Sequence, residues 1–460
     1  MIFTQYYLDC LSQASYLVGD ESSGRAVVVD PRRDVSEYLQ DAEQAGLKIE
    51  LIIETHFHAD FLSGHLELAD ATGAEIGFGA GAQAEFPIRE LHDGERISLG
   101  EVTLEVLATP GHTPESISIV VYEHADDEVP YGVLSGDTLF IGDVGRPDLL
   151  ASFGVTAQEL AVDLYASLHD KLLTLPDATR VFPAHGAGSA CGKNISTETS
   201  STIGDQKQTN YALAFATADE FVAAVTEGQS DAPAYFSYDA ALNRQNRALL
   251  EESEQAASLT LAEVAELQKK GAIVVDTRDP MEFAAGHLKG SINVGLAGRY
   301  AEFAGSLIPQ GVPIVVVAST GQGHEAKVRL ARIGFDQVVG ELDGPHSAFI
   351  ENPELVERSS RLTAAQLNSH RRDLPELAVV DVRNRGEVAL GSIPGSFNIP
   401  VAQLPERLSE LDTDVPTVIY CAGGYRSSMA ASLLRAHGFA DVSDLLGGFA
   451  AWQVQESAGT

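Results

Sequence analysis

Val418-Ile419-Tyr420-Cys421-Ala422-Gly423-Gly424-Tyr425-Arg426-Ser427 runs from apolar residues through a cysteine, two glycines and an arginine, and an Ala/Leu-rich run from Met429 to Arg435 follows. The pattern predicts strand, tight loop and helix. A cysteine at that point sits where backbone N–H groups and a helix N-terminus converge, and both favour thiolate over thiol. Gly423 and Gly424 let the loop close without strain. Arg426 adds a fixed positive charge. Cys421 and Arg426 are therefore candidate catalytic residues, and Gly423, Gly424 and Tyr425 line the cradle where substrate would bind. The competing reading is an ordinary buried cysteine after a core strand.

Working back from this loop, an internal repeat emerges. Val275-Asp276-Thr277-Arg278 matches Val380-Asp381-Val382-Arg383, and Gly290-Ser291-Ile292-Asn293 matches Gly395-Ser396-Phe397-Asn398, each 105 positions apart. Repeats of this length mean duplicated domains, and alternating strand and helix within each predicts a parallel sheet flanked by helices. Cys421-x4-Arg426 is one residue shorter than the Cys-x5-Arg loop of cysteine phosphatases, which suits one bulky sulfur. The segment resembles the active-site loop of rhodaneses, which carry sulfane sulfur as a cysteine persulfide. Both copies resemble rhodanese domains, but the first reads Val316-Val317-Ala318-Ser319-Thr320-Gly321 where the second has its cysteine. The first copy is therefore expected to be inactive, a scaffold or docking surface. His287 fits the Gly-His-x-x-Gly pattern of rhodaneses, whereas the active copy has Ser392 there.

Four loops near the other end place His or Asp just past probable strands: Thr55-His56-Phe57-His58-Ala59-Asp60, Thr109-Pro110-Gly111-His112-Thr113, Ser135-Gly136-Asp137-Thr138 and Phe182-Pro183-Ala184-His185-Gly186. In type, order and spacing the set resembles the metallo-β-lactamase superfamily, which implies an αβ/βα sandwich. Many relatives hold two zinc ions, but Phe61 stands where they have a histidine, and a phenyl ring binds no metal. The resemblance then implies one metal per chain, held by His56, His112 and Asp137. Two imidazoles and a carboxylate with open positions suit mononuclear Fe(II), and a three-ligand hydrolytic Zn site stays open. His58 is expected to support the site or touch substrate rather than ligate. Asp60 is expected to orient a ligand or the loop, and His185 to contact substrate or serve structure.

The following run, Leu139 to Asp148 with Gly145-Arg146-Pro147-Asp148, resembles persulfide dioxygenases over about residues 1 to 240. In that family a mononuclear iron inserts both atoms of O₂ into the terminal sulfur of a low-molecular-weight persulfide, giving sulfite and the thiol. Arg146 is then a candidate contact for the substrate's carrier, or else a loop-stabilising partner of Asp143 or Asp148. Cys191, close after His185, is a candidate sulfur acceptor, or an inert thiol.

The whole chain resembles persulfide dioxygenase–sulfurtransferase fusions: a dioxygenase domain over 1–250, an inactive rhodanese-like domain over 257–355 and an active one over 360–456. That implies Fe(II) as cofactor, O₂ and a thiol persulfide as substrates, and sulfite and thiosulfate as partners in sulfide detoxification. Glutathione, coenzyme A and bacillithiol remain open as carriers, and sulfur can flow in either direction between the sites. The alternative is a Zn-dependent thioester hydrolase of glyoxalase II type with an appended rhodanese.

At 460 residues the chain has length for two to four domains. A formal net charge of −36 argues against nucleic acid and anionic membranes as partners. No apolar run approaches the roughly 18 residues of a membrane span, and Met1 to Tyr7 lacks the features of a signal peptide. Three scattered cysteines, Cys10, Cys191 and Cys421, speak for a reducing, cytoplasmic setting, with Cys10 expected in the core. A homo-oligomer is expected. The Ser/Thr/Gly-rich stretch 186–210 is expected to act as a lid, and 251–255 as a linker.

Overall fold

Alternate side chains along each N-terminal strand enter two different cores. In Arg25–Val29, Val27 and Val29 join one buried cluster, and Ala26 and Val28 join another. A strand covered on both faces reads as a continuous apolar run, as Leu51-Ile52-Ile53 also does. The computed structural model describes residues 1–149, 155–229 and 232–459. These divide into two compact units: residues 1–252 with 331–334, and residues 253–330 with 335–460.

In the first unit, one six-stranded sheet runs in chain order: Ile2–Leu8, Gln13–Asp20, Arg25–Val29, Lys48–Ile53, Glu75–Gly79 and Arg89–Leu91. The second is ordered Ser201–Thr202, Arg180–Pro183, Gly132–Gly136, Ile117–Tyr122, Thr103–Ala108 and Arg96–Ser98. Val27, Val29, Leu51 and Ile53 of the first sheet meet Leu104, Val106, Ile119 and Leu134 of the second in one core. Each such side chain contributes about 1.5–3 kcal/mol when fully buried. Helices Ser36–Gln44 and His65–Thr72 cover the outer face of the first sheet through Tyr38, Ala42 and Leu68. Helices Ala157–Asp170 and Ala218–Thr226 cover the second through Ala161, Leu164, Leu168 and Phe221. This is the αβ/βα sandwich expected from the loops.

The strands Thr103–Ala108, Gly132–Gly136 and Arg180–Pro183 run the same way, so the loops after them emerge at one edge. In the stretch 186–210 Asp143 Oδ2 accepts from the N–H groups of Lys193 and Asn194 at 2.6 Å each, and the stretch ends in the helix Ile203–Thr209. One expectation needs correction. Cys10 lies partly exposed in the turn between the first two strands instead of in a core.

The second unit contains two five-stranded parallel sheets of identical topology. One is ordered Ser258–Leu259, Val338–Leu342, Ile314–Val317, Ile273–Asp276, Ile292–Asn293. The other is ordered Ser360–Leu362, Val442–Leu445, Thr417–Tyr420, Ala378–Asp381, Phe397–Asn398. The sequence repeat has a physical cause. Arg383 donates from Nε and Nη2 to Asp381 at 2.6–3.1 Å, and Arg278 is paired to Asp276 in the same way. Asn398 Nδ2 donates to the carbonyls of Asp381 and Arg383, and Asn293 does so to Asp276 and Arg278.

Asp381 and Arg383 are both buried. Asp381→Ala should leave the guanidinium without its counter-charge and lower stability by about 3–5 kcal/mol. Urea unfolding followed through Trp452, the chain's one tryptophan, measures it. Wild-type stability in this variant would contradict the account.

Candidate metal centre and sulfur-transfer loop

The first loop is fixed from below. Thr55 donates its N–H to Asp30 Oδ1 at 2.7 Å and its hydroxyl to Asp30 Oδ2 at 2.8 Å. Having given away its one proton, Thr55 Oγ1 accepts from His56 Nδ1 at 3.0 Å, which leaves Nε2 with its lone pair. His112 Nδ1 donates to the Arg146 carbonyl at 2.8 Å, so its Nε2 is free in the same way. Gly145 permits that loop to close: a Cβ there would lie 1.9 Å from the Asp137 carbonyl oxygen.

His56 Nε2 and His112 Nε2 face Asp137 Oδ2 at 3.8 and 3.5 Å. All three side chains are buried, and Asp137 Oδ2 makes no hydrogen bond. A buried unpaired carboxylate oxygen costs free energy, and two imidazole lone pairs beside it complete a donor set for a cation. Burial alone would raise the Asp137 carboxyl, but His185, with His56 and His112, holds it well below the usual carboxylate range. Burial pushes His56 well down, toward the neutral form that a metal needs.

His185 lies elsewhere in the network. Its Nδ1 donates to Asp137 Oδ1 at 2.7 Å, and its Nε2 lies 2.7 Å from Asp60 Oδ2, off line for a hydrogen bond. Burial alone would lower its pKa, but the two carboxylates raise it well above the ordinary value. Phe61 is fully buried, its ring 4.4 Å from that of His58.

The His58 ring lies 4.0 Å from that of His56, and its Nε2 lies 3.1 Å from Asp30 Oδ1 and 3.5 Å from Glu54 Oε2. Asp30, Glu54 and Asn243 were not legible as site residues. Asn243 Nδ2 donates to the carbonyls of His58 and Phe61 at 2.8 Å each, which locks the loop. Asp30 and Glu54 directly follow apolar strands, the same signal that marked the loops.

Arg146 forms a two-pronged pair with Asp148 at 2.7 Å and donates to the Ala190 carbonyl at 3.2 Å. This matches the loop-stabilising alternative, with Asp148 as partner. Cys191 is buried and lies with Asp60 and His185 in a cluster whose ligand-capable atoms are within 4.8 Å of one another. Burial, followed by Asp60 and Asp137, pushes its thiol well up.

In the second unit, Cys421 follows the strand Thr417–Tyr420. Gly424 donates its N–H to Sγ at 3.0 Å from a left-handed conformation, φ +101°, that a glycine adopts without strain. Ser427 Oγ lies 3.7 Å from the sulfur. Arg426 is paired through both Nη atoms with Glu387 at 2.7 Å. Strand register identifies the cysteine's counterpart: Asp381 pairs with Tyr420 and Asp276 with Val317, so Ala318 stands where Cys421 does. His287 is buried, stacked on Phe283 at 3.6 Å and bonded to its carbonyl.

A metallo-β-lactamase superfamily model matches residues 8–82, and a rhodanese-like domain model matches 260–352 and 363–455. The mitochondrial persulfide dioxygenase of Homo sapiens is 34% identical over 177 residues, 37% of this chain and 63% of that protein. A hydroxyacylglutathione hydrolase of Pseudomonas entomophila is 33% identical over 172 residues, 37% of this chain and 60% of that protein. A crystal structure of a metallo-β-lactamase from Staphylococcus aureus superposes with a TM-score of 0.67 at 32% identity, covering 74% of this chain and 98% of that one. Among the described residues no helix is long and apolar enough to cross a membrane.

Phe61→His should open a second metal position beside Asp60 and His185, raising the metal content measured by mass spectrometry from one ion per chain to two. A parent chain that already carries two ions would contradict the role given to Phe61.

Proposed function

Because the chain belongs to the metallo-β-lactamase superfamily and carries two rhodanese-like domains behind that domain, we propose that it is an Fe(II) persulfide dioxygenase coupled to a sulfurtransferase. The observation that carries this reading is the buried His56–His112–Asp137 set, with Asp137 Oδ2 unpaired and its other oxygen bonded to His185. Two neutral imidazoles and one carboxylate suit a single Fe(II) with open positions. When bound, the iron would supply the activation of O₂.

The chain's own residues do the rest. The Arg146 carbonyl and Thr55 hydroxyl aim the two ligand imidazoles, and His185 holds Asp137 ionised. Cys191 and His185 border the metal position where the persulfide sulfur would arrive, and Asn243 holds the His58–Phe61 loop. The net reaction is RSSH + O₂ + H₂O → RSH + sulfite + two protons. The terminal sulfur loses the four electrons that O₂ gains.

At the second site a thiol persulfide passes its outer sulfur to the Cys421 thiolate and leaves as the thiol. Sulfite then attacks the outer sulfur of the Cys421 persulfide. The Cys421 S–S bond breaks, the S–S bond of thiosulfate forms, and the thiolate returns to the Gly424 N–H. The reverse flow, with thiosulfate loading Cys421, uses the same bonds. Tethering the two sites raises the effective concentration of diffusible sulfite. The physiological role in this reading is persulfide and sulfide detoxification in the cytoplasm. The likeness to a hydroxyacylglutathione hydrolase supports a second reading, a Zn-dependent thioester hydrolase on the same three ligands.

Asp137→Ala should abolish metal binding and persulfide-dependent O₂ uptake while thiosulfate:cyanide sulfurtransfer survives. Cys421→Ser should do the opposite and accumulate sulfite in place of thiosulfate, because a serine hydroxyl stays protonated near neutral pH. Full iron content in the first variant, or an unchanged thiosulfate yield above a no-enzyme control in the second, would contradict the assignment.

A further inference from the structure

The Tyr425–Ala436 helix is buried continuously from Ser427 to Leu434. Its own strands Thr417–Tyr420 and Val442–Leu445 pack on it, and so does Ile292–Asn293 of the cysteine-less copy within the same unit. Tyr425, Ser428 and Ser432 are three and four residues apart, so they share one helix face. Each bonds to the cysteine-less copy. Tyr425 donates its hydroxyl to the Gly295 carbonyl at 2.7 Å, and Ser428 donates to Asn293 Oδ1 at 2.8 Å. Asn293 N–H donates to Ser432 Oγ at 2.9 Å. The Tyr425 ring stands edge-on to Phe303 at 5.8 Å. The anchor is rigid, because Asn293 is fully buried and its Nδ2 is already held by two carbonyls of its own domain.

The gripped residues bracket the sulfur's hydrogen-bond partners. Tyr425 directly follows Gly424, whose N–H donates to Cys421 Sγ, and Ser428 directly follows Ser427, whose hydroxyl oxygen accepts from the thiol at 3.7 Å. We propose that the cysteine-less copy is a positioning element for the Cys421 loop: its Asn293–Gly295 segment holds the first turns of the helix and so sets the Gly424 N–H and the Ser427 hydroxyl that face the sulfur. The inference rests on Cys421 being the sulfur-transfer nucleophile. It gives the inactive repeat a role that a passive scaffold lacks, because loosening the grip changes the thiol's acidity and the transfer rate at an otherwise intact site.

The test uses the full chain in three forms. Tyr425→Phe removes one hydroxyl, and Tyr425→Phe with Ser428→Ala removes two bonds. Gly295→Ala acts from the inactive copy alone, because its new Cβ would lie 3.3 Å from Tyr425 Cε2 and push on the ring. The readouts are the pH profile of Cys421 alkylation by iodoacetamide, followed on the Cys421 peptide by mass spectrometry, and kcat and KM for thiosulfate:cyanide transfer. N–H donors stabilise the thiolate, so weakening them should move the alkylation midpoint to higher pH. It should also lower kcat about five- to tenfold, the worth of one buried hydrogen bond, with little change in KM. Persulfide-dependent O₂ uptake should not change. Folded variants whose alkylation profile and kcat match the parent overturn the proposal. If Tyr425→Phe fails to fold, Gly295→Ala decides by the same readouts. A parent chain without cyanide-dependent transfer would remove the sulfurtransferase reading instead, and the alkylation profiles would still decide the positioning.

Discussion

His185, held between Asp137 and Asp60, is the interaction on which the N-terminal site depends. Burial alone would drive the imidazole to its neutral form, but the carboxylates beside it push its pKa well up, with both contacts at 2.7 Å. Asp137 thereby spends one oxygen on His185 and keeps the other for the position faced by His56 and His112. Beside Asp60, Phe61 offers no ligand for a second cation. Removing His185 would leave two uncompensated buried carboxylates, a loss of several kcal/mol.

The second site uses the opposite economy of charge. Cys421 lies against the N–H of Gly424 and close to Ser427, and Arg426 is paired with Glu387. Backbone dipoles therefore face the sulfur directly, while the arginine's charge is shared with a carboxylate. A cradle of this kind can hold a thiolate or a persulfide anion without a buried unpaired cation.

Much of this was legible in the sequence because its signals are local. Strand-then-ligand loops, a Gly-Gly turn before a helix and a repeat at fixed spacing are each readable within a dozen residues. The sandwich, the parallel sheets and the convergence of His56, His112 and Asp137 follow from them. What stayed hidden depends on partners far apart in the chain. Asn243 reaches the loop at His58 across 185 residues. Tyr425 reads as a cradle residue from its neighbours, yet its hydroxyl is bound to Gly295 across 130 residues. Arg146 carried two readings, and only the placement of Asp148 shows where its charge goes. Cys10 stands between Leu8 and Leu11 in sequence but lies in a turn beside Asp9, where neighbours do not enclose it.

The central claim is that the first unit uses a single iron on two imidazoles and one carboxylate to oxidise a persulfide. The most direct measurement is metal analysis of the full chain together with O₂ consumption during turnover of a low-molecular-weight persulfide. The account predicts one iron per chain and one O₂ consumed for each sulfite formed. Zinc in its place, with thioester hydrolysis and no persulfide-dependent O₂ uptake, would contradict it.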